Sequence, residues 1–502
     1  MSNIRRQSII SSGVVYFGFA LGFLNTYLFT REGSGFTKEA YGLVNVFVAL
    51  GNIMYSFANL GMTAYINKFF PYYKENVEDR KSDLITWALL TSFIGFLMVV
   101  AGGWIFKDLV IRKYGTNAPD LVKYYRWVFP FGMGLTFFSL LEAFSWHLKK
   151  VVLTNFLREV LFRLFTTILI LFFGWGMIRS YDVFIKTYAL TYLLLAAILL
   201  LILRREQLLH FNLTPSKVTQ KFKKKIVALA SFFWSGTLVY SISSVFDTLI
   251  IAAVMPNGLA FSGIYSLAQN IASLIQAPQR GIVSSSIAAL SQAWKQKDME
   301  RIDRIYHRSS INQILFSVGM FILIWLNFKD GVYTFHLQKD YLLAQEVFLF
   351  IGLMRMIDMG TGVNAQIIAT SIFWKFEFLT GILLLLLTLP MNYMLTKYFG
   401  VTGPAISNLI SFTIYNAIRY YFLYKKFRLQ PFRINALYAI FGGVISYFIC
   451  AYLFQNYHGF WAMTFRSSAF ILLYGGMIVG LKLTPDLKPV IDTVRKKLNV
   501  QR

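Results

Sequence analysis

The sequence predicts an all-α polytopic membrane protein, and two features of its composition and pattern carry that prediction. Of its 502 residues, 56% are hydrophobic and only 14% are charged, whereas about a quarter of the residues of a typical soluble chain are charged. Charge-poor stretches of about 20 residues recur along the chain, and as helices they are long enough to cross a hydrocarbon core of roughly 30 Å. Because these apolar runs are continuous and do not alternate with polar residues, they disfavour a transmembrane β-barrel.

About fourteen helices are predicted where apolar runs lie between charged residues and Gly, Pro or Asn breaks. In order, these runs are 8–29, 41–66, 83–106, 121–147, 152–176, 181–203, 226–254, 260–292, 308–328, 340–368, 373–395, 401–424, 434–455 and 461–481. The first run is followed by a second apolar span and not by a small-residue cleavage site. We therefore expect a retained helix and no signal peptide.

The cations in the loops predict the orientation. An even number of spans places both termini on one side, and that side collects roughly 31 Lys and Arg residues against 9 on the other, which predicts that it is cytoplasmic. The net charge of +26 therefore mostly reflects topology. Because the basic residues follow alternate loops without an aromatic platform, no nucleic-acid partner is expected. The basic run KVTQKFKKK (Lys217 to Lys225) is either a solvated loop or a contact with anionic lipid headgroups.

The longest interior loop divides the chain. The expected units are a six-helix bundle at 1–203, a basic cytoplasmic linker at 204–225, a second six-helix bundle at 226–424, two additional C-terminal helices at 434–481 and a basic cytoplasmic tail at 482–502. All outward loops have on the order of 15 residues or fewer, which leaves no room for a folded extracellular domain. Function is therefore expected inside the helices or on the cytoplasmic loops.

Two spans have similar sequences. The second span begins YGLVNVFVALGN at Tyr41, and the eighth begins SGIYSLAQNIAS at Ser262. Aligning Gly42 with Gly263 also aligns Lys74 with Lys295. Because both spans run from outside to inside, this similarity predicts a parallel repeat about an axis along the membrane normal, and two pseudo-symmetric bundles around a central site are a common transporter plan.

Arg280 is the charge that lies deepest in a predicted span. It follows Pro278 in the stretch LIQAPQRGIVSSS, and a charged side chain at the bilayer centre costs on the order of 2.5 to 3.5 kcal/mol. The proline cannot donate a backbone hydrogen bond, so a kink that exposes carbonyl groups is expected there. This combination predicts polar surroundings for Arg280.

Uncharged polar side chains lie around Arg280 and in the second and seventh spans. The candidate substrate-binding residues are Asn52, Asn59, Asn270, Gln276, Gln279 and Arg280. A wet central cavity explains this pattern, and the alternative is that serine and asparagine side chains join helices by hydrogen bonds. Both interpretations stay open for the serines.

Acidic residues within the spans are candidates for ion coupling. Asp358 lies three residues after Arg355, so the two can neutralise each other on one helix face, as can Glu159 and Arg163 four residues apart. Glu142 is close enough to Lys149 to reach the cytoplasmic interface. Asp247 is the deep acid that remains. Asp247 and Asp358 are the candidate residues for a proton or Na⁺.

The patterns of enzymes and metal sites are missing from the sequence. The five histidines are scattered, the single cysteine is Cys450, and neither metal-ligand spacing nor a Gly-rich phosphate loop followed by Lys and Ser or Thr occurs. We therefore expect no metal, no cofactor, no catalytic residues and no enzymatic activity.

Several stretches resemble the polysaccharide-flippase branch of the MOP (multidrug/oligosaccharidyl-lipid/polysaccharide) exporter superfamily, the Wzx-like O-antigen and capsule translocases. They are YGLVNVFVALGNIMYSFANLGMTAYINKFFPYYKE, WHLKKVVLTNFLREVLFRL, GIYSLAQNIASLIQAPQRGIV, RMIDMGTGVNAQIIATSIFWKFEF and PMNYMLTKYFGVTGPAISNLIS. They occur in the right order across almost the whole chain. The resemblance implies a V-shaped pair of six-helix bundles plus two helices.

The resemblance also implies a function. It implies a flip of an undecaprenyl-pyrophosphate-linked oligosaccharide from the cytoplasmic to the outer leaflet, driven by membrane potential or a cation, for surface polysaccharides such as the O-antigen of lipopolysaccharide. Arg280 would then meet the pyrophosphate or an acidic sugar, because a guanidinium binds phosphate oxygens in bidentate fashion. Expected partners are this lipid-linked oligosaccharide, membrane lipids and the polysaccharide polymerase machinery. The alternative is a cation-coupled multidrug antiporter of the same superfamily.

Overall fold

The structure is a computed structural model that describes the backbone of residues 2–486. The side chains of 2–9, 11, 12, 240, 280, 284, 285, 288 and 374 lie outside the described part, as does everything after residue 486. Within these limits the chain is helical and contains no β-strand. The predicted all-α class is confirmed.

The first compact unit comprises Met1–Gly263. Its helices are α1 (Ser2–Thr30), α2 (Lys38–Ala58), α3 (Met62–Asn76), α4 (Leu84–Ile105), α5 (Lys107–Tyr114), α6 (Pro119–Lys123), α7 (Tyr125–His147), α8 (Val151–Asn155), α9 (Phe162–Gly174), α10 (Tyr181–Ala189), α11 (Thr191–Arg205) and α12 (Lys217–Val254). A π-helical segment, Phe156–Leu161, joins α8 to α9. Helix α12 packs against α2 and α3.

The second compact unit comprises Ile264–Arg502, and α13 (Gly258–Ala272) crosses the boundary. Its other helices are α14 (Gln279–Gln296), α15 (Met299–Thr334), α16 (Ala344–Gly360), α17 (Asn364–Ala369), α18 (Trp374–Phe399), α19 (Gly403–Phe427), α20 (Ile434–Leu453) and α21 (Phe460–Gly480). Helix α19 packs against α16 and α18, while α20 and α21 pack against α15. The predicted grouping into six, six and two helices stays a prediction.

Eleven helical segments of the described chain are long and apolar enough to cross a membrane, so the chain is a multi-pass membrane protein and the count of fourteen is not confirmed. Three differences account for this. The predicted spans 373–395 and 401–424 are the two helices α18 and α19, but they are joined by the short 3₁₀ turn Gly400–Thr402 and are counted as the single segment Lys375–Phe427. The π-helical segment interrupts 152–176, and 340–368 is interrupted after Gly360, where α16 ends.

The predicted single span 41–66 is wrong, because two helices occupy it. Helix α2 begins at the cap Thr37, whose hydroxyl accepts from the Ala40 amide at 3.3 Å. It ends before Leu60 and Gly61, which have φ values of 46° and 76°. Left-handed residues stop a helix, and the following α3 restarts from the Asn59 side chain, whose Oδ1 accepts from the Thr63 amide at 3.1 Å.

The two glycines that the sequence repeat aligns contact each other. A Cβ atom at Gly42 would lie 1.7 Å from the carbonyl oxygen of Leu259 and 3.1 Å from the backbone nitrogen of Gly263. A Cβ atom at Gly263 would lie 2.8 Å from the Lys38 carbonyl oxygen. The first turns of α2 and α13 therefore cross at backbone contact, which only residues without a side chain permit.

A buried ion pair holds α20 and α21 against α15. The Asp330 carboxylate lies 2.8 Å from Nη1 of Arg466 and 3.0 Å from Nδ1 of His458. Arg466 also donates to the carbonyl oxygens of Leu326 and Tyr457, both at 2.8 Å. These partners belong to α15 and to the loop between α20 and α21. The two C-terminal helices are therefore attached to α15 by charge-assisted hydrogen bonds as well as by apolar packing.

Candidate functional site

A polar cluster in the second unit forms where α16 ends inside the apolar region. Thr361 follows Gly360, and Gly362 has a φ of 66°. A Cβ atom at Gly362 would lie 2.8 Å from Oγ of Ser309. The left-handed conformation and the lack of space both require glycine here. The break turns the polar side chains of Thr361 and Asn364 toward Asn416 of α19.

Asp358, in the last turn of α16, is the charged member of this cluster. Its Oδ1 accepts from Nδ2 of Asn416 and its Oδ2 accepts from Nε2 of Gln279, both at 3.2 Å. The Asn416 Oδ1 in turn accepts from Thr361 at 3.0 Å and from Asn364 at 2.9 Å. We call these five residues the Asp358 cluster.

The Asp358 cluster has the chemistry of a site for a hard cation or a proton. Asn416 is 1% exposed, so its amide is held by the hydrogen bonds that it makes inside the protein. Hard cations prefer oxygen ligands; Asp358 supplies carboxylate oxygens, and the Gln279 and Asn416 groups that reach it are N–H donors. The described residues contain no group of three or more His, Cys, Asp or Glu side chains that could hold a metal ion. The single carboxylate therefore fits a monovalent charge.

The helix break predicted at Pro278 is confirmed. Helix α13 ends at Ala272, a 3₁₀ turn covers Ser273–Gln276, and α14 begins at Gln279 with Pro278 as its cap. Arg280 belongs to the first turn of α14, and its side chain lies outside the described part of the chain. The predicted role of Arg280 therefore stays a prediction.

The other candidates near this break differ in their surroundings. Gln279 joins the Asp358 cluster. Gln276 is partly buried at the end of the 3₁₀ turn, and Asn270 is exposed near the end of α13. The Asn270 carbonyl oxygen accepts from the Ser273 hydroxyl at 2.6 Å. Of these three candidates, the structure brings Gln279 together with a second candidate, Asp358.

The candidates of the first unit use their polar groups within and between helices. The Asn52 side-chain amide donates to the Val48 carbonyl oxygen at 2.9 Å, and the main-chain carbonyl oxygen of Asn52 accepts from the Ser241 hydroxyl of α12 at 3.2 Å. Asn59 caps α3. These bonds match the interpretation that small polar side chains join helices. Asp247 lies in α12 and is 4% exposed.

Besides Asp330 with Arg466, two largely buried ion pairs were missed in the sequence. Glu142 is 3% exposed and lies 2.5 Å from Nη1 of Arg158, so it does not reach the interface near Lys149 as expected. Arg419 is 4% exposed and donates to Glu377 and to the Tyr415 hydroxyl. The predicted pair Glu159 and Arg163 is confirmed at 3.0 Å.

The spacing of these pairs explains why they were missed. Glu377 and Arg419 are 42 positions apart, and Glu142 and Arg158 are 16 apart, so neither pair shares a helix turn. The sequence did contain one indication of these pairs, which was the presence of single charges inside apolar runs. Such charges nearly always pair with an opposite charge or a polar group.

Comparison with known proteins places the fold. A family model described as polysaccharide biosynthesis protein matches residues 4–294. The solved structure of the lipid II flippase MurJ in an inward closed conformation is 15% identical with a TM-score of 0.69, over 93% of this chain and 98% of that chain. No curated protein matches the sequence.

Multidrug transporters are also similar. A multidrug resistance MATE family transporter of the MOP superfamily is 17% identical in an inward-facing conformation, with a TM-score of 0.59 over 82% of this chain and 94% of that chain. In an outward-facing conformation the identity is 15% and the TM-score 0.53, over 84% and 95%. At these identities the likeness shows the fold, whereas the family model covers more than half of the sequence. The chain therefore belongs to the polysaccharide biosynthesis protein family and has the fold of the MOP exporter superfamily.

Proposed function

We propose that the protein is a secondary transporter that flips an undecaprenyl-pyrophosphate-linked oligosaccharide from the cytoplasmic to the outer leaflet of a bacterial cytoplasmic membrane. The match of residues 4–294 to the polysaccharide biosynthesis family carries this proposal. The fold supports it, because the lipid II flippase shares it over almost its whole length. Both termini would lie in the cytoplasm, and the product would supply a surface polysaccharide such as O-antigen or capsule and its polymerase machinery.

Arg280 is the proposed binding group for the pyrophosphate. A guanidinium pairs with phosphate oxygens in a bidentate manner, and the helix break before α14 supplies polar backbone groups nearby. Asn270, Gln276 and the amides of the second span, Asn52 and Asn59, are proposed to bind sugar hydroxyls. The polar contacts of Asn52 and Asn59 inside the first unit make these two the weakest members of the set.

The Asp358 cluster is the proposed ion-coupling site, with Asp247 as a second candidate. Gln279 donates to Asp358 and is the neighbour of Arg280 in the first turn of α14. A proton or Na⁺ on the carboxylate would weaken its hydrogen bond from Gln279, because a charged acceptor binds a donor more strongly than a neutral one. Neutralising Asp358 would then release the start of α14, which couples ion binding to the position of Arg280.

A cation-coupled multidrug antiporter is the second candidate function. The observation that favours it is the similarity to MATE transporters. The family match and the positive charge of Arg280 favour an anionic lipid-linked substrate instead. A drug-susceptibility panel on a deletion strain separates the two functions.

The decisive experiment deletes the gene and fractionates lipid-linked intermediates by leaflet. We expect an undecaprenyl-pyrophosphate glycan to accumulate on the cytoplasmic leaflet while the surface polysaccharide disappears. Complementation with an Arg280→Ala variant that is expressed at the normal level should fail to restore the polysaccharide. Unchanged surface glycan together with altered drug tolerance would instead support the antiporter.

A further inference from the structure

A basic groove lies at the end of the second unit where α15 begins and α19 ends. Its volume is about 680 Å³. The lining residues that carry the argument are Arg304, His307, Arg308, Arg428, Leu429 and Arg433. Four of these six side chains are guanidinium groups, and none of the four belongs to the proposed transport site. The groove is therefore a separate cationic feature of the protein.

The fold builds this groove from three chain segments. The first turns of α15 supply Arg304, His307 and Arg308. Helix α19 ends in a left-handed residue, Arg428, whose amide donates to the Tyr424 carbonyl oxygen at 2.9 Å. This ending buries Leu429 in the floor of the groove and leaves Arg428 exposed. The third segment carries Arg433 to the start of α20.

Arg428 occupies a conformation that suits glycine. Its φ is 58°, and a side chain in this region carries a steric penalty that glycine does not. Glycine is also the usual residue at this position after a helix. Seven other non-glycine residues of the described chain share this conformation, so it marks how α19 ends and makes Arg428→Gly a variant that suits the backbone.

Two of the four guanidinium groups that line the groove remain available to a ligand. Arg308 binds Asp486, and Arg433 lies 3.8 Å from Asp303. Within residues 2–486, neither Arg304 nor Arg428 forms an ion pair. Two exposed guanidinium groups in one concave site match the oxygens of a single phosphate group.

The position of the groove indicates where the phosphate comes from. One face of α20, which follows Arg433, is apolar and exposed: Ile434 is 58% exposed, Leu437 48% and Phe441 55%. In a membrane protein such a face contacts acyl chains. The groove therefore lies where the lipid-facing surface meets water, which is the level of the headgroups.

We propose that this groove binds the phosphate headgroup of an anionic phospholipid. The proposal is independent of what the transporter carries. The carboxylates of Glu300 and Asp303, which also line the groove, limit its net positive charge. They favour one phosphate diester over a polyanion, because both carboxylates would repel the additional negative charges of a polyanion. The lipid would hold the ends of α15, α19 and α20 together at the membrane surface.

The test measures binding of short-chain phosphatidylglycerol and phosphatidylcholine to the purified full chain in detergent. We expect at least about tenfold tighter binding of phosphatidylglycerol, and a loss of about tenfold or more in the double variant Arg304→Gln with Arg428→Gln, since hydrogen bonds to charged groups are worth this much. Binding of phosphatidylcholine should not change. Equal binding of the two lipids by the natural protein would overturn the proposal.

Matched controls separate a site from general charge. Arg204→Gln with Arg205→Gln removes the same charge from the exposed end of α11 and should leave phosphatidylglycerol binding intact. An equal loss in this control would show a non-specific attraction and would overturn the proposal. Arg428→Gly removes the guanidinium while suiting the backbone, so it should weaken binding without lowering thermal stability. If it binds phosphatidylglycerol as the natural protein does, Arg428 is not a ligand.

A final arm distinguishes a lipid from a free anion. Inorganic pyrophosphate at millimolar concentration should displace little phosphatidylglycerol, because it lacks the acyl chains that contact α20. If pyrophosphate binds tightly, loses this binding in the Arg304→Gln with Arg428→Gln variant, and phosphatidylglycerol binding does not depend on these two residues, the groove is a site for a soluble phosphate and the lipid proposal is wrong.

Discussion

The contact between Gly42 and Gly263 gives a prediction with a magnitude that follows from the structure. In a Gly42→Ala variant, the new methyl carbon would lie 1.7 Å from the Leu259 carbonyl oxygen. Carbon-to-oxygen contacts settle at about 3.3 Å or more, so α2 and α13 would have to separate by roughly 1.6 Å. Because the carbonyl oxygen is a backbone atom and the backbone fixes the position of the Cβ atom, no side-chain rotation relieves the clash.

We expect Gly42→Ala to lower the free energy of unfolding by about 2 to 3 kcal/mol, the upper range for overpacking a well-packed contact. This change is measured by thermal unfolding of the purified protein in detergent, with the fraction that stays monodisperse recorded at each temperature. Gly263→Ala should have a smaller effect in the same direction, because the nearest atom to its Cβ, the Lys38 carbonyl oxygen, is 2.8 Å away.

The matched control is Gly102→Ala, in α4. A Cβ atom there has no heavy atom within 4 Å, so this change should be neutral or stabilise by about 0.4 to 1 kcal/mol through the unfolded chain. If Gly42→Ala unfolds at the same temperature as Gly102→Ala, the two helices do not cross at backbone contact. The packing argument would then fail.

Three further predictions concern charged groups. Asp358→Asn should abolish the dependence of transport on the coupling ion while destabilising the fold by only about 1 kcal/mol; unchanged ion dependence in a vesicle flipping assay would exclude it from coupling. Arg419→Ala should destabilise by about 3 kcal/mol because it leaves the partly buried Glu377 without its arginine, and Arg419→Met with Glu377→Leu should recover most of this in thermal unfolding. Burial pushes the pKa of Asp486 up, but hydrogen bonds from Arg308 and Asn312 and the Arg308 charge outweigh it and hold that pKa below its usual range. The contact of the Asp486 carboxylate with Arg308 and Asn312 is therefore complete above the ordinary aspartate pKa, and it is lost as the pH falls through the lowered pKa of Asp486. We expect proteolysis of the chain after α21 to increase only below about pH 4.

The sequence predicted the class of the fold and most of its spans because hydropathy depends on composition over long windows. It missed the break between α2 and α3, because Leu60 and Gly61 continue an apolar run and a single glycine inside such a run does not by itself show that the helix ends. It also merged α16 and α17 into one span for the same reason at Gly362. Local backbone conformation depends on tertiary contacts that a single sequence does not contain.

The sequence predicted individual residues of the candidate site, but it did not predict which of them lie next to each other. Gln279 and Asp358 were each singled out as polar groups in apolar spans, but they are 79 positions apart, so their contact was not predictable. Asn416 was missed because one asparagine in an apolar span usually joins helices. What distinguishes Asn416 is its position between Asp358, Thr361 and Asn364, which depends on how α16 and α19 pack.

The carboxylates inside the second unit differ in the charge of their partners. Glu377 and Asp330 each pair with a buried arginine, Arg419 and Arg466. Neutralising either carboxylate would leave a buried guanidinium without its counter-charge, which costs several kcal/mol. Asp358 accepts its hydrogen bonds from the neutral amides of Gln279 and Asn416, and an amide that loses a charged acceptor leaves no charge behind. Binding a proton or Na⁺ at Asp358 therefore carries a smaller penalty than at Glu377 or Asp330, which supports Asp358 as the acid whose charge changes during transport.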